Sequence, residues 1–500
     1  MKNIIDKKLK KRKEEIHKRT KKRNRKEQLL PMLQAPNIHY EIDGRHKGIA
    51  HGGIGVIHLL AQKIGLINEL NNKVNVLKRH LPYHESDHIL NIAYNLMVGG
   101  TCLQEIDLLR NDVAWLDALN AEIIPDPTTA GDFLRRFDEQ SILDLMEAKN
   151  NIRQSVWQQQ PENFKKEAIL NVDGTIIRTY GECKEGMDIS YKGIWGYAPL
   201  IVSLDKTREP LYIVNRPGNA PSHLGSAHWI DKALDLVSPI FEKVILRGDT
   251  DFSLSANFDR WDERCTFIFG MDAKKNLIKM ACDISETEWQ MFNKPPRVVK
   301  TEERKKPENI KDQVVKSRNF TNLHTECEFF AEIEYKPGKC QKSYRLIVIR
   351  KIITVSKGED QLFDDCRFFF YITNDRCRTT ESLIQLYRGR ADHENDIEQL
   401  KNGVHALKAP SNTLNSNWAY MVIAALAWDL KAWYGLLMPY RVLGNQILKM
   451  EFKRFTHTFI SIPCLIIKQA RKIIYRIVGY NDQLKHILNF LFLLKKFEFS

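Results

Sequence analysis

The chain has 500 residues, 43% of them hydrophobic, with a formal net charge of +14; that is apolar material for roughly two to four packed domains and excludes a disordered polymer. The longest apolar run, Trp418 to Trp428, is eleven residues, short of the ~20 that cross a bilayer, and no apolar stretch follows the basic N-terminus to make a secretory signal. A cytoplasmic protein without membrane spans is expected. Nine scattered cysteines with no C-x-x-C pair point to reduced thiols rather than a disulfide framework or a zinc knuckle.

Residues 1–30 hold fourteen Lys or Arg against four acids, so most of the excess charge belongs to a basic tail over 1–35. Such a tail is disordered or a lone helix and is drawn to polyanions by counterion release; a solubilising extension and a targeting signal are the alternatives. Residues 40–160 read as helical. "SDHILNIAYNLMVGG" offers a Ser86 cap and a Gly-Gly stop, and "DPTTAGDFLRRF" offers Pro127 and a Thr129-x-x-Asp132 capping box. The glycines of "HGGIGVIHLLAQ" have neither a preceding strand nor a G-K-S/T, which argues against a phosphate loop.

From 165 to 405 the texture becomes that of an α/β domain: short β-branched runs, a helical "SAHWIDKALDLVSPIF", then "KVILRGDTDFS". Strand-like stretches "TFIFGMD", "CEFFAEIEY", "SYRLIVIRKIIT" and "RFFFYIT" suggest a β-rich insertion at about 266–365, interrupted by a basic loop over 297–318. Residues 410–500 return to helical periodicity.

Two acids stand where strands end. "AILNVDGT" delivers Asp173 to the lip of a sheet, and "KVILRGDTDFS" does the same for Asp249, with Asp251 as its rival on the same face. Two such carboxylates on neighbouring strands suit a shared divalent cation, whereas an Asp that caps its own turn is the plain alternative. A third group of acids lies in "YRGRADHENDIEQLKNG" (387–403). At 100° per residue, Tyr387, Arg390, Glu394 and Lys401 fall within about 60° of arc, and Asp392 and Asp396 fall opposite. Glu398 stays beside Glu394, so geometry leaves these two tied. A ladder of i,i+4 surface pairs is the alternative to chemistry here.

Tyr387-x2-Arg390-x3-Glu394-x6-Lys401 is similar, spacing for spacing, to the YREK signature of the DDE transposases of bacterial insertion sequences. "NVDGT" and "LRGDTDFS" resemble that family's two aspartate motifs, "RPGN" resembles a segment of one subgroup, and the likeness covers roughly residues 40–440. Departures are the long basic N-terminus and Thr250-Asp251 where the subgroup has Ser-Gly.

The resemblance implies a ribonuclease H-like mixed α/β core with a β-rich insertion, a helical DNA end-binding domain over 40–160 and a helical C-terminal region. It implies Asp173, Asp249 and Glu394 as catalytic and metal-binding residues, favouring Asp249 over Asp251 and Glu394 over Glu398. Two Mg2+ or Mn2+ ions would serve a cut-and-paste phosphoryl transfer on double-stranded DNA, both inverted-repeat ends and target. A homodimer would bridge the ends in a bacterial, nucleoid-associated setting. Tyr387, Arg390, Lys401 and, more weakly, Trp289 would contact DNA. From the residues alone, the basic 297–318 loop is a further candidate for tracking DNA backbone against a plain solvated loop, and for His223 and His228 hydrogen-bonding or surface roles outweigh a catalytic one. A nuclease or resolvase of the same fold without strand transfer, and an inactive domesticated DNA-binding descendant, are the competing expectations.

Overall fold

The computed structural model describes residues 2–21, 38–293, 309–357, 360–469 and 471–496. Helix α1 (Lys2–Lys21) is followed by a helical region that includes α2 (Glu85–Met97) and α3 (Glu139–Gln158). The sheet region begins with β1 (Glu167–Gly174), β2 (Leu200–Leu204) and β3 (Glu209–Val214), then α4 (Ser226–Val237), β4 (Lys243–Gly248) and β5 (Thr266–Met271). After a short β6 (Gln290–Met291) come three long strands, β7 (Thr321–Tyr335), β8 (Tyr344–Lys357) and β9 (Asp360–Thr373). Helices α5 (Thr380–Arg388), α6 (Ala391–Glu398) and α7 (Leu414–Leu437) and the hairpin β10 (Cys464–Gln469) and β11 (Lys472–Ile477) complete these elements. Among the described residues no helix is long and apolar enough to cross a membrane.

All nine strands from β1 to β9 form one sheet, in the order β6-β7-β8-β9-β5-β4-β1-β2-β3. Within it, β4 runs parallel to β1 and β5 parallel to β4, while β2 is antiparallel to β1 and β3 to β2. That five-strand order, 3-2-1-4-5 with the second strand reversed, is the ribonuclease H-like core. The central strands carry continuous apolar runs because both of their faces are covered. On β5 the alternation is explicit: Phe267 and Phe269 face the main core, whereas Ile268 faces a second cluster with Ile347, Ile349, Tyr371 and the α5 residues Leu383 and Ile384. Helices α5 and α6 therefore lie on one face of the sheet. Thr266–Met271, expected to open the insertion, is instead the fifth strand of the core, and the insertion extends the same sheet through the antiparallel pairing of β9 with β5.

The region from 410 is not helical throughout. Its Ile-rich stretch at 464–477 pairs as an antiparallel hairpin, since β-branched residues on both arms pack better on a pleated surface than on a helix. Strand β10 also pairs with Gly48–Ile49 from the N-terminal region. Gly53 packs there so closely that a Cβ would collide with the Phe459 carbonyl, so this glycine serves close backbone approach. Helix α7 is buried along almost its whole length, the run Trp418–Trp428 included, as a helix apolar on every side must be.

Helix α1 is not alone. Arg12 donates to the carbonyls of Ile477 (3.2 Å) and Gly479 (3.0 Å), and Leu9 packs against the main core; residues 22–35 of the tail lie outside the described residues. Two expected caps differ as well. His84 rather than Ser86 precedes α2, and the helix at Pro127 is capped by Asp126, whose carboxylate accepts from Thr129 N at 2.8 Å. A residue that sits one step before Pro at N1 is placed to cap; Thr129 is already inside the turn.

Candidate active site

Period-two alternation builds the site. Asn171 and Asp173 share one face of β1, and Arg247 and Asp249 share the same face at β4. Arg247 is buried there. Its Nε donates to Asn171 (2.8 Å), Nη2 to Asp205 (2.6 Å) and Nη1 to the Leu386 carbonyl at the end of α5 (2.6 Å). Ser203 on β2 meets the buried His393 of α6 at 3.0 Å, and Asp396 faces Arg208 at 3.3 Å. This polar layer fixes α5 and α6 onto the sheet directly below the strand ends.

At those ends each aspartate spends one oxygen locally and aims the other inward. Asp173 Oδ1 accepts from its neighbour Gly174 N (2.8 Å), and Asp249 Oδ1 accepts from Asp251 N (3.0 Å). The turn-capping alternative is thus realised, yet it consumes only half of each carboxylate. Arg390 Nη1 lies 3.1 Å from Asp173 Oδ2 and 3.7 Å from Asp249 Oδ2, and its Nη2 lies 3.5 Å from Glu394 Oε1. Carboxylates from three separate chain segments converge on one guanidinium; among the described residues, the group of three whose ligand atoms all lie within 4.8 Å of one another is His80, His84 and Glu85, and Asp173, Asp249 and Glu394 are more widely spaced. Burial and the charge of Asp249 push the Asp173 carboxyl up to about 6 despite Arg390. Asp249 is also raised, by burial and by Asp251 against the pull of Arg390.

The remaining candidates separate. The helix expected over 387–403 is broken: α5 ends at Arg388, α6 starts anew after Arg390, and Gln399–Gly403 widens into a π turn. Glu394 reaches Arg390, whereas Glu398 is bonded to Asn402 within its own helix. Asp251 is exposed. Lys401 is half-buried, where burial lowers its ammonium against the charges of Glu398 and Asp173. The Tyr387 ring stacks on Tyr371 at 4.0 Å, and burial pushes its hydroxyl up to about 12. Trp289 is not brought to this centre: it precedes the edge strand β6, roughly 20 Å of sheet away from β5, under the Arg350 guanidinium at 4.4 Å. His223 and His228 sit exposed at the start of α4. Of the 297–318 loop, Lys311, Lys316 and Arg318 are exposed on or after a helix at Ile310–Ser317, and the positions before 309 lie outside the described residues.

Sequence reading missed Arg247 and His393. The signal was available for the first, because a lone cation inside the buried run "KVILRG" has to be paired.

Acids at the ends of the first and fourth strands of a ribonuclease H-like core, with a third on the helix pair after the last strand of the sheet, define a carboxylate-centred site at the sheet's lip. A family described as "Transposase DDE domain group 1" matches residues 30–496, and the chain belongs to it. Among solved structures, one titled as a cryo-EM structure of a piggyBac transposase synaptic complex with hairpin DNA is similar, at 11% identity over 82% of this chain and 81% of that one, with a TM-score of 0.35. No curated protein matches. The family uses divalent metal ions, and these residues fit one: the inward oxygens are all carboxylate, the donors hard cations take, and one arginine leaves their charge only partly balanced.

Proposed function

We propose that the chain is an active DNA transposase of a bacterial insertion sequence, working by cut-and-paste. The observation that carries this is the convergence of Asp173, Asp249 and Glu394 on Arg390. In this reading the three acids hold two Mg2+ or Mn2+ ions, which when bound supply an activated water or 3′-hydroxyl and stabilise the leaving oxygen. The chain's own residues do the rest. Asn171, Arg247 and Asp205 lock the strand ends to α5, so the carboxylates are held in place before DNA arrives. Arg390, once the acids are neutralised, is free to pair with a phosphate, for which its planar fork is suited. Lys401, half-buried beside the centre, grips a second phosphate, and Tyr387 walls the site against Tyr371. Two copies of the chain bridge the two element ends.

The test is cleavage and joining of a duplex that carries the element's terminal sequence, with purified protein and Mg2+. Asp173→Asn, Asp249→Asn and Glu394→Gln are each expected to lower cleavage by about a thousandfold or more, and Glu398→Gln by less than about threefold. Loss of cleavage on Glu398→Gln with retention on Glu394→Gln would overturn the assignment. Cleavage without joined product would favour a nuclease that lacks strand transfer.

A further inference from the structure

Away from the carboxylate centre, a second group of ligand-type side chains draws together in the helical region. His80, His84 and Glu85 belong to the stretch "HLPYHE", which joins the helix Leu66–Lys73 to α2, and their ligand atoms all lie within 4.8 Å of one another. His80 Nε2 is 3.0 Å from Glu85 Oε2, and the rings of His80 and His84 stack with centroids 4.2 Å apart. Around a tetrahedral ion with bonds of about 2.0–2.2 Å, neighbouring donor atoms stand about 3.3–3.5 Å apart, so the His80 and Glu85 atoms are already near that separation. His84 is exposed. Rotation of its side chain brings the third donor to the same point, and H-x3-H is a spacing that zinc sites use.

Glu85 gives an independent reason to expect a cation. Its side chain is only 2% exposed; Oε1 accepts from Leu77 N at 3.1 Å and Oε2 meets His80, whose side chain is 45% exposed. Among the described residues no lysine or arginine pairs with it. Other sealed carboxylates of this chain are answered by full cations: Glu209 by Arg153, Asp429 by Arg153 and Lys149, Asp396 by Arg208. A carboxylate taken out of water is ordinarily paired or bound to a metal. Lys78 and Arg79, in the same loop, are exposed instead. Both imidazoles lie at the surface, so an ion has a way in.

We propose that His80, His84 and Glu85 bind one transition-metal ion of the Zn2+ type, with water in the fourth position. Two imidazole nitrogens and one carboxylate oxygen suit Zn2+, Co2+ or Ni2+, whereas Mg2+ takes oxygen donors. The site is therefore chemically distinct from the all-carboxylate centre at the sheet's lip, and it stands whether or not that centre transfers phosphoryl groups. Its effect is local. Glu85 already holds Leu77 N and His80; the ion adds His84 and fixes the intervening loop, with its exposed Lys78 and Arg79, to the start of α2. The competing counterion is an imidazolium on His80, which would satisfy Glu85 without any metal and leave His84 no part in it.

The experiment titrates the full-length protein with Zn2+, and separately with Co2+, in excess Mg2+ that keeps the carboxylate centre supplied. Calorimetry gives stoichiometry and affinity, visible absorption reports the geometry around Co2+, and the melting temperature reports linkage to folding. Wild type is expected to bind one Zn2+ per chain, to show the bands of four-coordinate Co2+, and to melt higher with Zn2+. His84→Ala leaves the His80–Glu85 bond in place, and should bind Zn2+ about a hundredfold or more weakly, because loss of a mere supporting partner already costs about 10–100-fold. His80→Ala/His84→Ala should lose the Co2+ bands. His223→Ala/His228→Ala, which removes two exposed histidines elsewhere, should behave as wild type. Absence of Zn2+ binding by wild type, unchanged affinity in His84→Ala, or an equal loss in His223→Ala/His228→Ala overturns the site.

Discussion

Arg153 and Arg390 each gather carboxylates from distant parts of the chain, to opposite ends. Arg153 of α3 donates to Glu209 on β3 (3.0 Å) and to Asp429 on α7 (2.9 Å); Lys149 meets Asp429 at 2.9 Å, and the indoles of Trp157 and Trp433 donate to Glu209. Two cations face two anions there, all nearly sealed from water. At the other site one cation faces three carboxylates, and Glu394 is 64% exposed. Balance and burial make the first a fastening between the helical regions and the sheet. Imbalance and access are what the proposed cation site needs, and the second has both. The presence of an arginine among acids says nothing by itself; the charge count and the route to solvent decide what the cluster is for.

The largest difference between the two should appear on removing the arginine of the buried one. Arg153→Met leaves Glu209 and Asp429 buried with only Lys149 between them, and is expected to cost about 3–5 kcal/mol, measured by urea denaturation. Mg2+ should restore none of it. A loss under about 1 kcal/mol would show that the network relaxes or admits water, and the contrast would fail.

A smaller, pH-dependent effect belongs to the open site. The Asp173 carboxyl titrates near 6 in the folded chain against an ordinary 3.8, so between those values the folded state holds the extra proton. The stability this contributes is complete below the ordinary value and is lost as pH rises through about 6, by up to about 3 kcal/mol. In EDTA, wild type should therefore weaken between pH 5 and 7.5, whereas Asp173→Asn should show a smaller fall and be the more stable at pH 7.5. Parallel pH profiles for the two proteins would refute this.

How much of this was legible in the sequence depends on range. An apolar run and a glycine turn are local signals, so the sequence could put Asp173 and Asp249 at strand ends, with Asp251 left as a rival to the second, and helical period left Glu394 and Glu398 tied. In the structure those two differ in that Glu394 reaches Arg390 and Glu398 does not, and the reach of Arg390 across to β1 and β4 is something no period encodes. The membership of Thr266–Met271 in the core was hidden for the same reason, since a strand's own pattern shows its faces but not its neighbours. The hairpin at 464–477 was misread because its Ile residues satisfy either period when the partner arm is ignored. The small sheet of Ile177–Arg178, Asp188–Ile189 and Trp195–Tyr197 escaped notice because its strands are two or three residues long, too short for any period to register.

The finest distinction concerns Arg390 itself. If it is a stand-in cation, Arg390→Ala should do two things of opposite sign. Without metal, at pH 7.5, it removes the charge that offsets Asp173 and Asp249, and should cost about 1–2 kcal/mol. With metal, it removes a competitor for the same oxygens, so the Mg2+ concentration giving half of the thermal stabilisation should fall several-fold, because any ligand that binds only the folded chain stabilises it in proportion to its affinity. A fastening of the Arg153 kind would show the first effect without the second. Were Arg390→Ala to raise the Mg2+ requirement instead, the guanidinium would be helping to build the cation site rather than occupying it, and its place among the acids would have to be read as part of the cage.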